Sequence, residues 1–200
     1  MKNIIIAVPH AIVKNKPLKD EIDDHPFDYA ALRAANIMND VLSISHKTNL
    51  FVSHTPRHTH DLNRNEGIDC DFRPKLTKVL KKIKNSKTDS IVLDIHSFPS
   101  AHVNLDVYIM DNKGYENKNA GEIVVSSRTF DLSMALIAQG FTATYLPGEK
   151  LMSICSEARK YNVSALLIEF NEDLSDKEIR KICNIVKNWL DGDYEDIIIR

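Results

Sequence analysis

Short apolar runs that alternate with amphipathic helical stretches predict an α/β layered domain built on a mixed sheet. Two observations carry that expectation. Strand-like and helix-like segments interleave along the whole chain instead of segregating into halves. Ile91–Leu93 and Leu166–Ile168 are apolar on consecutive positions, the pattern of central strands covered on both faces. A length of 200 residues suits one domain, residues 1–200, with a substantial core.

In chain order, the first strand is expected at Asn3–Val8, where a run of isoleucines begins almost at the first residue. A helix follows over Tyr29–Ile44 and a strand over Thr48–Val52. Lys75–Asn85 reads as a helix, because Leu76, Val79, Leu80 and Ile83 recur at helical spacing. The lysines between them then form its solvated face. Strands are expected at Ser90–Ile95 and Leu105–Met110, with a surface loop or hairpin over Asp111–Asn119. A helix over Thr129–Gln139, a strand over Phe141–Tyr145, a helix over Leu151–Tyr161 and a strand over Ala165–Phe170 come next. The last helix, Asp176–Leu190, has the clearest start: Ser175 caps it and Glu178 completes a capping box. Ile179, Ile182, Val186 and Leu190 form its apolar stripe.

Composition excludes several classes. A net charge of −2 gives no electrostatic case for nucleic acid or an anionic membrane as the main partner. Cys70, Cys155 and Cys183 show neither CxxC spacing nor a disulfide framework, and Cys155 and Cys183 read as small core residues. With no signal-peptide pattern and no apolar run of membrane-spanning length, a cytoplasmic location is expected. GxSxG, GxGxxG, the P-loop and HExxH are all absent.

The polar residues worth chemistry gather where predicted strands end. His10 follows the first strand, and His96 stands at the end of Ser90–Ile95 with Asp94 two residues before it. Open α/β sheets bind ligands at such strand ends. Two imidazoles there suit zinc, which takes nitrogen and carboxylate ligands and leaves one position open in catalytic sites. The acidic stretch Asp20, Glu21, Asp23, Asp24 and Asp28 can supply a third ligand, and His54, His58 and His60 are a second source of imidazoles. Asp61–Gly67 packs Asn63 and Arg64 into a loop, and arginine offers a planar fork for a carboxylate. Glu169 ends an apolar strand, where partial desolvation suits a general base. Asp173, in the next turn, is expected to help start the last helix.

Taken in order, Val8–Ala11, Phe27–Ala31, Arg57–Arg64, Asp94–Phe98 and Leu167–Leu174 resemble the N-formylglutamate amidohydrolase family, related in fold to zinc carboxypeptidases and aspartoacylases. The resemblance implies a phosphorylase/hydrolase-like three-layer α/β/α sandwich with a mostly parallel sheet. It implies zinc held by His10 and His96, with Asp28 as third ligand. The histidine-x-x-glutamate pair of the wider zinc carboxypeptidase group is missing, since position 13 is Val13. Arg57, Asn63 and Arg64 would grip a substrate carboxylate, and Glu169 would activate the attacking water. The expected activity is hydrolysis of the amide bond of a small N-acyl amino acid such as N-formylglutamate. The alternatives are a metallo-carboxypeptidase, a peptidoglycan or polyglutamate amide hydrolase, or a non-catalytic carboxylate-binding descendant.

Overall fold

In the computed structural model, residues 1–11, 28–53, 62, 71–86, 88–100, 104–111, 127–147 and 153–192 are described. The chain runs β1 (Asn3–Val8), α1 (Ala31–Leu42), β2 (Lys47–Val52), α2 (Phe72–Ser86), β3 (Ser90–Phe98) and β4 (Val107–Asp111). It continues through α3 (Ser127–Ala138), β5 (Ala143–Pro147), α4 (Ser153–Lys160), β6 (Ser164–Asn171) and α5 (Asp176–Asp191). Every element expected from periodicity is present, with ends shifted by a few residues.

The six strands form one sheet in the order β2-β1-β3-β6-β4-β5. β2, β1, β3 and β6 are mutually parallel, β4 is antiparallel to β6, and β5 is parallel to β4. Helices cover both faces, so the domain is a three-layer α/β/α sandwich around a mixed sheet. Alternation along each strand sorts side chains between the layers. Ile4, Ile6, Ile91, Leu93, Ile95 and Ile168 pack against α1 and α5, whereas Ile5, Ala7 and Val92 pack against α2 and α4. On α5, Ser175 and Glu178 form the expected capping box. Its apolar stripe, Ile179, Ile182, Val186 and Leu190, is buried in the core.

The chain leaves β1 through α1 on one face toward β2, then returns through α2 on the other face to β3. Strand order therefore reverses between β1 and β3. Such a reversal opens a crevice beyond the carboxyl ends of the two strands, since their connections depart in opposite directions. His10 and His96 stand at that place.

Two expectations need correction. β3 does not stop at Ile95: its pairing with β6 continues through His96↔Glu169 and Ser97↔Phe170 to Phe98↔Asn171. His96 is thus inside a strand, so the pleat fixes the side of the sheet its imidazole takes. Asp173 does not start α5 either, because its carboxylate accepts a hydrogen bond from the Ser100 hydroxyl, and the N-cap is Ser175. Cys155 and Cys183 are both buried, as expected of core residues. The lysines of α2 (Lys75, Lys78, Lys81, Lys82 and Lys84) are exposed, which leaves them as a solvated face.

Candidate metal and catalytic site

At the carboxyl end of β1 the backbone closes on itself. Ser53 N–H donates to Val8 O, Ala11 N–H donates to Ser53 O, and Asp28 N–H donates to His10 O, each at 2.9 Å. An isolated parallel bridge joins Ala11 to Asp28. These bonds tie Asp28 to the end of β1, although the chain between the two residues lies outside the described part. His10, Asp28, Asp94 and His96 are all 0% exposed.

His96 is held from both sides. Its Nδ1 lies 2.6 Å from Asp28 Oδ2 and its Nε2 3.1 Å from Asp94 Oδ1. The His10 ring is tilted 55° to it, with centroids 6.3 Å apart. Burial alone would lower the pKa of this imidazole. The charges of Asp94 and Asp28, and the hydrogen bonds they accept, outweigh burial and push it up to about 10. Even with His96 protonated, one imidazolium faces two buried carboxylates, and Asp94 Oδ2 has no hydrogen-bond partner among the described residues. Counting the described side chains alone, two carboxylates against one imidazolium leave surplus negative charge, which favours a cation at this place.

That surplus bears on whether the residues suit a divalent metal. Among the described residues, no three His, Cys, Asp or Glu side chains already stand at the mutual spacing of a bound ion. The departures are small, however. Two donors on one tetrahedral zinc stand about 3.3 Å apart, and two zinc-bound imidazoles have centroids about 5 Å apart. The 2.6 Å between His96 Nδ1 and Asp28 Oδ2 and the 6.3 Å between the His10 and His96 ring centroids each differ from those values by about 1 Å. The chemistry of the set also suits the ion. Asp94 on Nε2 is the carboxylate that commonly orients a ligating histidine, which directs Nδ1 toward Asp28 and the crevice. Two imidazoles and a carboxylate fit zinc in kind.

Across the sheet, His96 on β3 pairs with Glu169 on β6. Paired residues share a face, so the imidazole and the half-buried carboxylate stand side by side about 4.8 Å apart at the backbone. If the neighbouring imidazole held a metal, a carboxylate so placed on a rigid strand could serve as a base toward water.

Two positioning residues escape sequence reading. Glu172 Oε1 accepts hydrogen bonds from Tyr29 N–H at 2.9 Å and from the Ser97 hydroxyl at 3.1 Å. Ser97 Oγ in turn accepts from Ala30 N–H at 3.0 Å. Ala30, the N-cap of α1, makes no side-chain cap bond; Glu172 and Ser97 instead satisfy the N–H groups of Tyr29 and Ala30, the two residues that lead into the helix. They thereby clamp the residues directly after Asp28. An alanine at the start of a helix, with no Ser, Thr, Asp or Asn at its N-cap, is the one local signal that a distant partner was required.

The expected substrate-gripping residues Arg57, Asn63 and Arg64 lie outside the described residues. So do Asp61, the histidines His54, His58 and His60, and the acids Asp20, Glu21, Asp23 and Asp24. Leu62 alone is described in that stretch between β2 and α2, and it is buried against Phe72 and Leu76.

No protein-family model matches this chain, and no curated protein matches it. Solved structures do. Gene product Atu2144 from Agrobacterium tumefaciens superposes with a TM-score of 0.69 at 12% identity, covering 98% of this chain and 91% of its own. The catalytic domain of the CD27L endolysin, which targets Clostridia difficile, gives 0.54 at 14% identity over 96% and 98% of the two chains. The N-acetylmuramyl-L-alanine amidase Ami1 from Mycobacterium abscessus gives 0.54 at 11% identity over 97% and 98%. At these identities the likeness is one of fold: the chain shares the α/β/α architecture of these proteins over nearly its whole length.

Proposed function

We propose that this protein is a metal-dependent amidohydrolase that cleaves an amide whose nitrogen belongs to an amino acid, with a small N-acyl amino acid such as N-formylglutamate as the first reading. The observation that carries it is the buried His10, Asp28, Asp94 and His96 cluster at the strand-order reversal, with Glu169 on the adjacent strand. His10, Asp28 and His96 would hold one divalent ion, zinc by donor type. When bound, such an ion supplies Lewis acidity that acidifies water and polarises a carbonyl. Glu169 then takes the proton of the attacking water and returns it to the leaving nitrogen. Asp94 keeps Nε2 of His96 protonated and its ring fixed. Arg57, Asn63 and Arg64 remain the choice for gripping the substrate carboxylate. A cytoplasmic site of action belongs to this reading, and no described helix is long and apolar enough to cross a membrane.

A peptidoglycan amide hydrolase is the second reading. It is supported by the shared fold with Ami1, which is named an N-acetylmuramyl-L-alanine amidase. Zinc-loaded protein assayed on N-formyl, N-acetyl and N-muramoyl amino acids, with unacylated dipeptides alongside, separates the readings. Cleavage confined to the small acyl groups supports the first and preference for the muramoyl amide supports the second. Cleavage of dipeptides alone, or of nothing, removes both.

A further inference from the structure

The catalytic row does not end at Glu169. Glu169 pairs with Tyr108 on β4, and Tyr108 pairs with Thr144 on β5. Directly paired residues share a face in parallel and antiparallel ladders alike. His96, Glu169, Tyr108 and Thr144 therefore form one line across β3, β6, β4 and β5. The packing agrees: Val107, Ile109 and Ala143 face the α1, α3 and α5 layer, which leaves Tyr108 and Thr144 on the side of α2 and α4.

On that side the described helices do not reach the last two strands. α2 packs on β2 and α4 on β3 and β6, while neither makes a substantial contact with β4 or β5. Tyr108 and Thr144 are accordingly half-buried. They sit on a shelf beside the general base, and Phe98 meets the Tyr108 ring edge-on at 5.2 Å between centroids, which fixes its plane. The shelf offers an aromatic surface and two hydroxyls. β4 and β5 contain no lysine or arginine, so nothing on these strands would attract a carboxylate.

We propose that Tyr108 and Thr144 form the acyl-side subsite of the catalytic centre and position the part of the substrate beyond the scissile carbonyl. The ligand class is an uncharged acyl group with both an apolar surface and oxygen atoms, such as a hydroxyacyl or sugar-acid chain. The inference rests on the amidohydrolase reading and deepens it: it orients the substrate with its acyl group over β4 and β5 and its amino-acid carboxylate directed away from them.

The test compares wild type, Tyr108→Phe, Tyr108→Ala and Thr144→Val as zinc-loaded full chains. Each is assayed on N-formyl-, N-lactoyl- and N-benzoyl-L-glutamate and -L-alanine. Binding of the same compounds is followed by saturation-transfer NMR, and circular dichroism and zinc content control for folding. For lactoyl and benzoyl substrates, Tyr108→Ala should raise KM about tenfold with kcat nearly unchanged, while formyl substrates change less than about twofold. Tyr108→Phe should restore the benzoyl but not the lactoyl substrates, and Thr144→Val should weaken lactoyl alone. An effect independent of acyl size, an effect that follows the amino acid, or no effect overturns the subsite. If wild type binds these compounds without cleaving them, and Tyr108→Ala weakens lactoyl and benzoyl binding selectively, the subsite stands and the hydrolase reading falls. Wild type that neither binds nor cleaves any of them overturns both.

Discussion

The two halves of the sheet are built to different standards of enclosure. In the parallel half, β1 and β3 carry helices on both faces, and Ile4, Ile5, Ile6, Val92, Leu93 and Ile95 are fully buried. In the antiparallel half, β4 and β5 rest on α3 with one face, while Tyr108, Met110 and Thr144 on the other face stay half-buried. The contrast divides labour. Enclosed strands fix His96 and Glu169 in place and keep water from the buried charges. The half-open strands carry Tyr108 and Thr144, the side chains proposed to meet the acyl group.

The sharpest way to break that division is through Glu169, the proposed base at its boundary. Glu169→Gln should lower kcat by on the order of 10²–10⁴ while leaving zinc content and KM nearly intact, because a base acts chiefly in the transition state. Loss of zinc would make Glu169 a ligand, and undiminished turnover would remove it from the mechanism. Stability should divide along the same line. Leu93→Ala, in the enclosed half, should cost about 2–5 kcal/mol through the cavity it leaves. Thr144→Ala, on the shelf, should change stability by no more than about 0.5 kcal/mol. Urea unfolding of both variants checks this, and equal losses would mean the halves are equally packed.

A subtler effect concerns the clamp after Asp28. Ser97→Ala removes the hydroxyl that joins Ala30 N–H to Glu172, and should weaken zinc binding about 10–100-fold, the range for residues that orient ligands. Unchanged zinc affinity would show that Asp28 is placed without it. The smallest expected effect is on pH dependence. In metal-free protein the His96 pKa is raised from 6.5 to about 10, so the folded chain binds the extra proton between those values. Its stabilisation is fully present below about pH 6.5 and is lost as pH rises through about 10. Denaturation midpoints across that window should fall for wild type and stay flatter for His96→Gln.

The same contrast explains what could be read in advance. Enclosed strands advertise themselves, since two-sided burial leaves consecutive apolar residues such as Ile91–Leu93. The cap and stripe of α5 were equally legible from Ser175, Glu178 and the spacing of Ile179, Ile182 and Val186. The positions of His10, His96 and Glu169 near strand ends were also within reach, whereas Asp28 was singled out from its acidic neighbours by the family resemblance alone. The pairing of His96 with two carboxylates was not, because it joins residues 68 positions apart in one case. Glu172 and Ser97 were invisible for the same reason: they hold the residues leading into a helix from across the fold. The shelf was hidden because half-buried strands such as Val107–Asp111 show only that they are strands, and the strand order that sets Tyr108 beside Glu169 is a tertiary property.

The central claim is that His10, Asp28 and His96 are ligands of one divalent ion. Calorimetric zinc titration of metal-free protein at pH 7, in buffers of different ionisation enthalpy, tests it most directly. The account predicts one equivalent of zinc, with release of about one proton as the ion displaces the one held between His96 and its carboxylates. Binding should be lost in His10→Ala, Asp28→Ala and His96→Ala, each checked for native folding. Tight binding that survives all three substitutions, or no binding to wild type, would contradict it.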